Sequence, residues 1–204
     1  LVEFGYPLAD KLIEAGEKER ATHVQGKRKE ILIAPSWQED NLLDSVIDGL
    51  IEALYCDDYH VTVRPHPEYV KRYGARMQAI VDKYAHLVGD GLSFELDFTV
   101  NRSVYSADLL ITDWSGIAYE YAYTTCRPVL FIDTPMKVMN PEYQKIDTVP
   151  LNILLREEIG CSLNLDELNQ LGDKVQMLLE RKNDYYEKIR NFVQEYVYNH
   201  GTSA

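Results

Sequence analysis

The residues best suited to chemistry lie in a short polar turn, Thr112-Asp113-Trp114-Ser115-Gly116, between an apolar run and a helix-forming segment. The apolar run, 109–111, has the length of a buried strand and is too short for a helix. A turn between a strand and a helix presents hydroxyl groups and backbone N–H groups at a helix N-terminus, where the dipole favours an anion. The pattern therefore indicates a site for the phosphates of a ligand, and an ordinary capped helix is the alternative.

The carboxylate of Glu120 follows this turn at a distance that suits contact with a ribose. Glu120 lies four residues beyond Gly116, about one helical turn further along. From there it could accept hydrogen bonds from both hydroxyl groups of a ribose whose phosphates occupy the turn, or it could be a solvated helix residue. Thr112, Asp113, Ser115 and Gly116 would form the clamp that binds the phosphates. Asp113 could also be the N-cap of the helix, and the two roles can hold at once.

A second polar motif, Arg64-Pro65-His66-Pro67, follows the strand-like segment 59–63, which the two prolines bring to an end. Transfer from a diphosphate donor needs positive charge near the departing phosphate and can need an acid–base group with a pKa near neutral. Arg64 and His66 can fill these roles, Arg64 by pairing with phosphate oxygens. In the alternative, nearby backbone satisfies His66 and Arg64 lies in a salt bridge.

A third motif, Pro35-Ser36-Trp37, follows the strand-like segment 30–34. Ser36 could turn its hydroxyl and backbone toward the same ligand, and a plain capping role is equally compatible with the sequence. Strand segments alternate with helical ones, which predicts a parallel sheet covered on both faces. All three motifs come after strands, so the sheet would deliver them to the one edge where ligands of such sheets bind.

The elements that position these motifs are predicted from apolar spacing. Strands are expected over 30–34, 59–63, 92–96, 109–111 and 129–132. Helices are expected over 8–21, 42–54, 68–87 with an interruption near Gly74, 100–106, 117–125, 165–179 and 184–198. Residues 134–152 are expected to form an ordered loop, and 154–160 a helical turn.

The composition excludes several classes of function. The 204 residues are 46% hydrophobic and 26% charged, as in a soluble globular protein, and the net charge is −12. This acidity argues against a nucleic-acid partner and against electrostatic adhesion to anionic lipid. No apolar run approaches the roughly 18 residues of a membrane span, and three cysteines without CxxC spacing indicate reduced thiols in a cytoplasmic protein. The remaining histidines show no metal-ligand spacing, so no metal and no cofactor is expected.

Five motifs, in order, resemble the C-terminal half of the CDP-glycerol glycerophosphotransferase family, which makes teichoic acid and related capsule polymers. They are Gly5-Tyr6-Pro7 with Asp10, Ala34-Pro35-Ser36-Trp37, Arg64-Pro65-His66-Pro67, Asp108-Leu109-Leu110-Ile111-Thr112-Asp113-Trp114-Ser115 and Arg127-Pro128-Val129-Leu130-Phe131. The resemblance implies the two-domain GT-B architecture. Residues 1–204 would be its single Rossmann-like, nucleotide-donor-binding domain, and residues 183–204 could cross back to an absent N-terminal domain.

By this resemblance, His66 matches a histidine needed for transfer, while Thr112, Asp113 and Ser115 match the loop that binds the donor phosphates. The family needs no metal for transfer. Gly116 stands where the family commonly has a second serine, and Glu120 stands where it often has aspartate. These departures leave the donor open between CDP-glycerol, CDP-ribitol and another nucleotide-linked unit. The other catalytic histidine of the family belongs to the N-terminal domain, so this chain is expected to be barely active alone.

The expected reaction is attack by a hydroxyl of a polymer or lipid-linked acceptor on the β-phosphate of a CDP-linked alditol, with CMP leaving. Arg64, His66 and the turn at Ser115 would stabilise charge on the diphosphate, while Glu120 orients the ribose. The full-length protein would be cytoplasmic, at the inner face of the membrane, with no membrane association through this domain. The alternatives are a GT-B sugar transferase or UDP-sugar 2-epimerase-like protein, and a non-catalytic nucleotide-binding module.

Overall fold

One parallel sheet organises the protein. The computed structural model describes residues 5–22, 26–136, 138 and 140–203. Its strands are β1 (Lys29–Ile33), β2 (Tyr59–Val63), β3 (Leu92–Phe94), β4 (Leu109–Thr112), β5 (Val129–Asp133) and β6 (Gly160–Asn164). All neighbours pair in parallel, in the order β3-β2-β1-β4-β5-β6. The predicted α/β class with a parallel sheet is confirmed.

Helices connect the strands and cover both faces of the sheet. They are α1 (Pro7–Thr22), α2 (Leu42–Ser45), α3 (Ile47–Leu54), α4 (Pro67–Lys83), α5 (Arg102–Ser106), α6 (Ile117–Thr125), α7 (Leu151–Ile159), α8 (Leu171–Glu180) and α9 (Lys182–Tyr196). Short 3-10 turns lie at Ala85–Leu87, Tyr143–Lys145 and Leu165–Gln170. None of the helices in these described stretches is both long and apolar enough to span a bilayer.

Two apolar clusters join the helices to the sheet, one on each face. Successive side chains of a strand point to opposite faces, so Ile31 and Ile33 pack with α3, α4 and α8, whereas Leu32 packs with α5, α6 and α9. All four residues of β4 are buried, as expected for a central strand between two helical layers. The packed sheet and helices thus support the loops at the strand ends.

The strand order creates a switch point at one position in the sheet. The chain builds outward from β1 to β3 on one side and from β4 to β6 on the other. The connections after β1 and β4 therefore leave in opposite directions, and a crevice opens between their first residues. This switch point is where open α/β sheets bind ligands.

Several expected boundaries were wrong. The helix predicted over 42–54 breaks at Val46 (φ −138, ψ 6), which separates α2 from α3. The helix predicted over 165–179 begins as a 3-10 turn, and α7 starts at Leu151, inside the predicted loop. The predicted interruption near Gly74 is confirmed, since Tyr73 leaves the helical region (φ −124, ψ 35).

The sixth strand was not predicted. Gly160–Asn164 pairs with β5 over five residues, and an added Cβ at Gly160 would overlap the Val129 carbonyl. The strand therefore depends on a close backbone approach that only glycine allows at its first residue. Its local sequence is short and shows no strong alternation of apolar and polar residues, so pairing with β5 decides its conformation.

The described part of the closing segment packs on this same domain. Ile189, Phe192 and Val193 of α9 are buried in the cluster that also contains α6. Beyond α9 the chain returns to α1, where the Asp10 carboxylate accepts backbone N–H bonds from Gly201 (2.7 Å) and Ser203 (2.5 Å). A crossing of residues 183–204 to a further domain stays a prediction.

Candidate functional site

A crevice of about 260 Å³ opens at the carboxyl edge of the sheet, at the switch point. The ends of three neighbouring strands, β1, β2 and β4, contribute to it, and α1 and α5 close its sides. The lining residues from the strand ends include Ala34, Pro35, Arg64, Pro65, His66, Ser115, Gly116 and Glu120. The structure therefore brings the predicted site residues after β2 and β4 around one space, whereas the side chains of Ser36, Thr112 and Asp113 do not line it.

His66 lies at the end of β2 and forms the N-cap of α4. Its Nδ1 accepts a hydrogen bond of 3.1 Å from the backbone N–H of Glu68. Because Nδ1 is the acceptor, the neutral ring carries its proton on Nε2, from which it can donate. The ring lies 6.3 Å from that of Trp37 and is half-buried. The backbone thus selects the tautomer in which His66 can donate a hydrogen bond to a phosphate oxygen.

Arg64 directs its guanidinium into the segment between β3 and α5. Nη1 donates to the Val100 carbonyl (2.9 Å) and pairs with the Glu95 carboxylate, while Nη2 donates to Asn101 Oδ1 (2.6 Å). Arg64 is 8% exposed. Burial lowers the pKa of its guanidinium, and the nearby Tyr105 and Asp97 side chains oppose that shift. Arg64 lines the crevice, but these partners are protein groups, which fits the salt-bridge interpretation of this residue.

Asp113 ties the turn after β4 to the loop after β1. Its buried carboxylate accepts backbone N–H bonds from Ser36 (2.8 Å), Leu42 (3.3 Å) and Trp114 (2.7 Å). Thr112 is equally buried and donates its hydroxyl to the Ala34 carbonyl at 2.6 Å. Both side chains therefore lie outside the crevice and hold the loops that form its wall.

The helix-capping roles considered for Asp113 and Ser36 are filled by other residues. The N-cap of α6 is Gly116, so Asp113 does not cap that helix and instead binds the first N–H of α2. The N-cap of α2 is Asn41, which accepts the Leu43 N–H at 2.8 Å. Ser36 is therefore not the cap; it is 2% exposed, and its Oγ has no hydrogen-bond partner among the described residues.

The start of α6 faces the crevice through Ser115 and Gly116. No side chain in the described residues caps this nine-residue helix. The N–H groups of Ala118 and Tyr119 already donate to the Ser115 and Gly116 carbonyls, at 3.3 and 3.1 Å. The preceding N–H groups of Gly116 and Ile117, with the Ser115 hydroxyl, are positioned to bind an anion in the crevice. An added Cβ at Gly116 would meet nothing within 4 Å, so this residue leaves room on the ligand side.

Glu120 contributes a carboxylate to the same crevice. It is half-buried and has no hydrogen-bond or ion-pair partner within the described residues, and burial raises the pKa of its carboxyl. Burying a charged group without a partner costs free energy. Perturbed titratable groups of this kind cluster at functional sites, so the position favours a ligand role over a solvated helix residue.

Arg156 supports the turn and was not singled out from the sequence. Its guanidinium lies over the rings of Trp114 (4.2 Å) and Phe131 (4.4 Å), pairs with Asp133 and donates to the Asp113 carbonyl (3.3 Å). Burial lowers the pKa of Arg156, and the adjacent Asp133 opposes this. The arginine is 43 residues from Asp113 in an amphipathic helix, so no local pattern marks it.

No group of three or more histidine, cysteine, aspartate or glutamate side chains in the described part of the chain is arranged to hold a metal ion. The polar groups of the crevice are instead hydrogen-bond donors, one imidazole and one carboxylate. Such a set can bind phosphate oxygens and sugar hydroxyl groups directly.

An open parallel sheet of this strand order, with a polar crevice at its switch point, defines a Rossmann-like domain of the kind found in GT-B enzymes. The chain belongs to the CDP-Glycerol:Poly(glycerophosphate) glycerophosphotransferase family, which matches residues 1–204. The resemblance drawn from the five sequence motifs is therefore confirmed.

Relatives of known name agree with this assignment. The minor teichoic acid biosynthesis protein GgaB of Bacillus subtilis (strain 168) is 23% identical over 198 residues, covering 82% of this chain and 19% of that protein. A structure of the wall teichoic acid polymerase TagF, soaked with CDPG, is 21% identical with a TM-score of 0.58, covering 98% of this chain and 47% of that chain. The chain thus spans about half of that structure and a much smaller part of GgaB.

The fold extends beyond this family. A trehalose-phosphate synthase (UDP-forming) from Burkholderia vietnamiensis has a TM-score of 0.63 at 9% identity, covering 94% of this chain and 47% of that chain. At such identities the likeness shows the fold alone. The chemistry must therefore be argued from the crevice.

Proposed function

We propose that this chain binds a CDP-activated alditol, with CDP-glycerol as the first candidate. It would form the donor-binding half of a transferase that builds teichoic acid or a related polymer. Membership of the glycerophosphotransferase family supports the class of reaction. The observation that carries the proposal is that His66, Ser115 and Glu120, from two separate strand ends, line one crevice.

The donor would lie along the start of α6. Its diphosphate would accept hydrogen bonds from the backbone N–H groups of Gly116 and Ile117, from the Ser115 hydroxyl and from His66 Nε2. Glu120 is four residues beyond Gly116, or about 6 Å along the helix axis. That span is comparable to the one from the α-phosphate of a nucleotide to its ribose hydroxyl groups, so Glu120 would accept hydrogen bonds from the ribose.

The proposed reaction is an in-line displacement at the β-phosphorus. The oxygen of an acceptor hydroxyl forms a bond to the β-phosphorus. The bond between the β-phosphorus and the bridging oxygen breaks, and CMP leaves with the electron pair of that bond. Charge on the departing phosphate would be stabilised by His66 and the α6 N–H groups. The acceptor proton would pass to a base outside this chain, in the proposed N-terminal domain.

The size of the crevice supports this division of labour. Small-molecule sites usually occupy about 300–1,000 Å³, whereas this crevice has about 260 Å³. Part of the donor and the whole acceptor, a polymer or lipid-linked hydroxyl, would therefore contact another part of the protein. Any association with a membrane would arise there as well.

Calorimetric titration of this chain with CDP tests the proposal, with UDP as the comparison. We expect CDP to bind, and we expect Glu120→Gln to weaken its binding roughly 10- to 150-fold, because a charged hydrogen bond contributes about 1.5–3 kcal/mol. Glu52→Gln is the matched control, since Glu52 is exposed on α3 and does not line the crevice.

Three results would contradict the proposal. Absence of any binding heat at millimolar CDP would remove the donor site. A clear preference for UDP would instead favour a sugar transferase or an epimerase-like protein. Donor binding without transfer, in the protein that also carries an acceptor-binding domain, would favour a non-catalytic module.

A further inference from the structure

One arginine, Arg64, contacts both ends of the segment between β3 and α5. The Arg64 guanidinium pairs with Glu95 at the start of this segment and donates to Val100 and Asn101 at its end. The ring of Phe98, between these contacts, lies 5.6 Å from the same guanidinium. Since Arg64 follows β2 directly, the position of the whole segment is set from the floor of the crevice.

The hydrogen bond from Arg64 fixes the orientation of the Asn101 amide. A guanidinium can only donate, so the atom that lies 2.6 Å from Arg64 Nη2 must be the amide oxygen. The amide nitrogen then lies on the opposite side. The Asn101 side chain also hydrogen-bonds the Tyr105 hydroxyl, which partly offsets the rise that burial causes in the pKa of Tyr105. The amide nitrogen carries two N–H groups, and a single contact with Tyr105 uses no more than one of them.

Asn101 lines the crevice that would hold the donor, beside the apolar side chains of Leu12 and Val104. If the ribose lies at Glu120, the base attached to it must occupy a neighbouring part of this space. The apolar side chains offer contact to the faces of a base ring, while Asn101 offers a hydrogen-bond donor to its edge.

We propose that Asn101 determines the choice of pyrimidine, by donating its fixed N–H to N3 of cytosine, and that Arg64 is the positioning residue for this amide. This inference rests on the proposed function, because it needs a nucleotide in the crevice. Cytosine presents an acceptor at N3, whereas uracil presents N3–H. A held donor would face a second donor in a uracil nucleotide, which selects against it.

The ratio of CDP to UDP affinity, measured by calorimetry on this chain, tests the inference. Asn101→Asp keeps an oxygen for Arg64 but presents an acceptor to the base, so the ratio is expected to fall at least about tenfold, the effect of roughly one hydrogen bond. Both ligands carry the same diphosphate, so the added negative charge cancels in the ratio. Asn169→Asp, exposed in the 165–170 turn and outside the crevice lining, is the control.

Arg64→Lys supplies a second measurement. Lysine keeps the charge but cannot hold two partners in a fork, so the CDP to UDP ratio is expected to fall several-fold without reversing. If CDP binds and Asn101→Asp leaves the ratio unchanged, the inference is overturned while the donor site stands. If neither nucleotide binds the parent chain, the proposed function itself has failed.

Discussion

Two substitutions at His66 separate its two roles, the cap of α4 and the proposed contact with the donor. Nδ1 accepts the Glu68 N–H at 3.1 Å, and this bond satisfies one of the first donors of the helix. Asparagine is a preferred N-cap residue whose side-chain oxygen can accept the same N–H, whereas alanine has no acceptor. His66→Asn therefore keeps the cap and removes Nε2, while His66→Ala removes both.

The expected magnitudes differ for stability and for binding. Losing an N-cap costs about 0.5–2 kcal/mol, and about 1 kcal/mol shifts the Tm of a protein of this size by about 2–4 °C. We expect His66→Ala to unfold a few degrees below the parent and His66→Asn to unfold close to it. Losing a hydrogen bond to a charged phosphate costs about 1.5–3 kcal/mol, so both variants should bind CDP roughly 10- to 150-fold more weakly.

Thermal unfolding followed by circular dichroism and calorimetric titration with CDP, in one buffer, measure the two effects. His86→Asn is the matched control, because His86 is exposed in the turn that follows α4 and does not line the crevice. If His66→Asn binds CDP as tightly as the parent, the imidazole does not contact the donor. If it unfolds as early as His66→Ala, the account of the cap is wrong.

Four further substitutions test the supporting structure, each by urea unfolding. Asp113→Ala is expected to lower the free energy of unfolding by at least about 3 kcal/mol, because two buried N–H groups and one partly buried N–H group lose a charged acceptor; a loss below about 1 kcal/mol would contradict this. Glu120→Gln is expected to stabilise the fold near neutral pH. Burial raises the pKa of Glu120, so its stabilising contribution is present below the unfolded pKa and is lost as pH rises through the folded pKa. The advantage of glutamine must therefore grow between pH 4 and pH 7, and an advantage independent of pH would refute the assignment. Gly160→Ala is expected to cost about 1–3 kcal/mol or more, since its Cβ would overlap a backbone carbonyl of β5. Gly172→Ala, with open space in α8, is expected to gain up to about 0.5–1 kcal/mol, and equal effects at the two glycines would contradict the packing of β6.

The convergence of the site was predictable because it follows from topology. Once the strand segments are recognised as parallel, their carboxyl ends must lie at one edge, whatever the details of packing. His66 after β2 and Ser115 after β4 were therefore expected together, and the structure places both in one crevice. Glu120 follows from helical periodicity in the same way.

The partners of polar side chains were not predictable. Arg64 has the chemistry of a phosphate ligand, but its donors reach Val100 and Asn101, more than 30 residues away in the sequence. Asp113 has the chemistry of a clamp or a cap, yet its carboxylate joins two loops inside the protein. A residue type defines which bonds are available to it, while the folded chain decides which groups come within reach.

The sequence by itself determined the class of fold, the edge of the sheet at which the crevice lies, and the family. Periodicity, strand length and ordered motifs are local properties that survive without tertiary contacts. Only the tertiary structure decided which polar residues line the crevice and which hold it in place. It also decided that residues 160–164 pair as a sixth strand and that Arg156 lies behind Trp114. Those outcomes depend on contacts between distant segments, whose free energies no local pattern records.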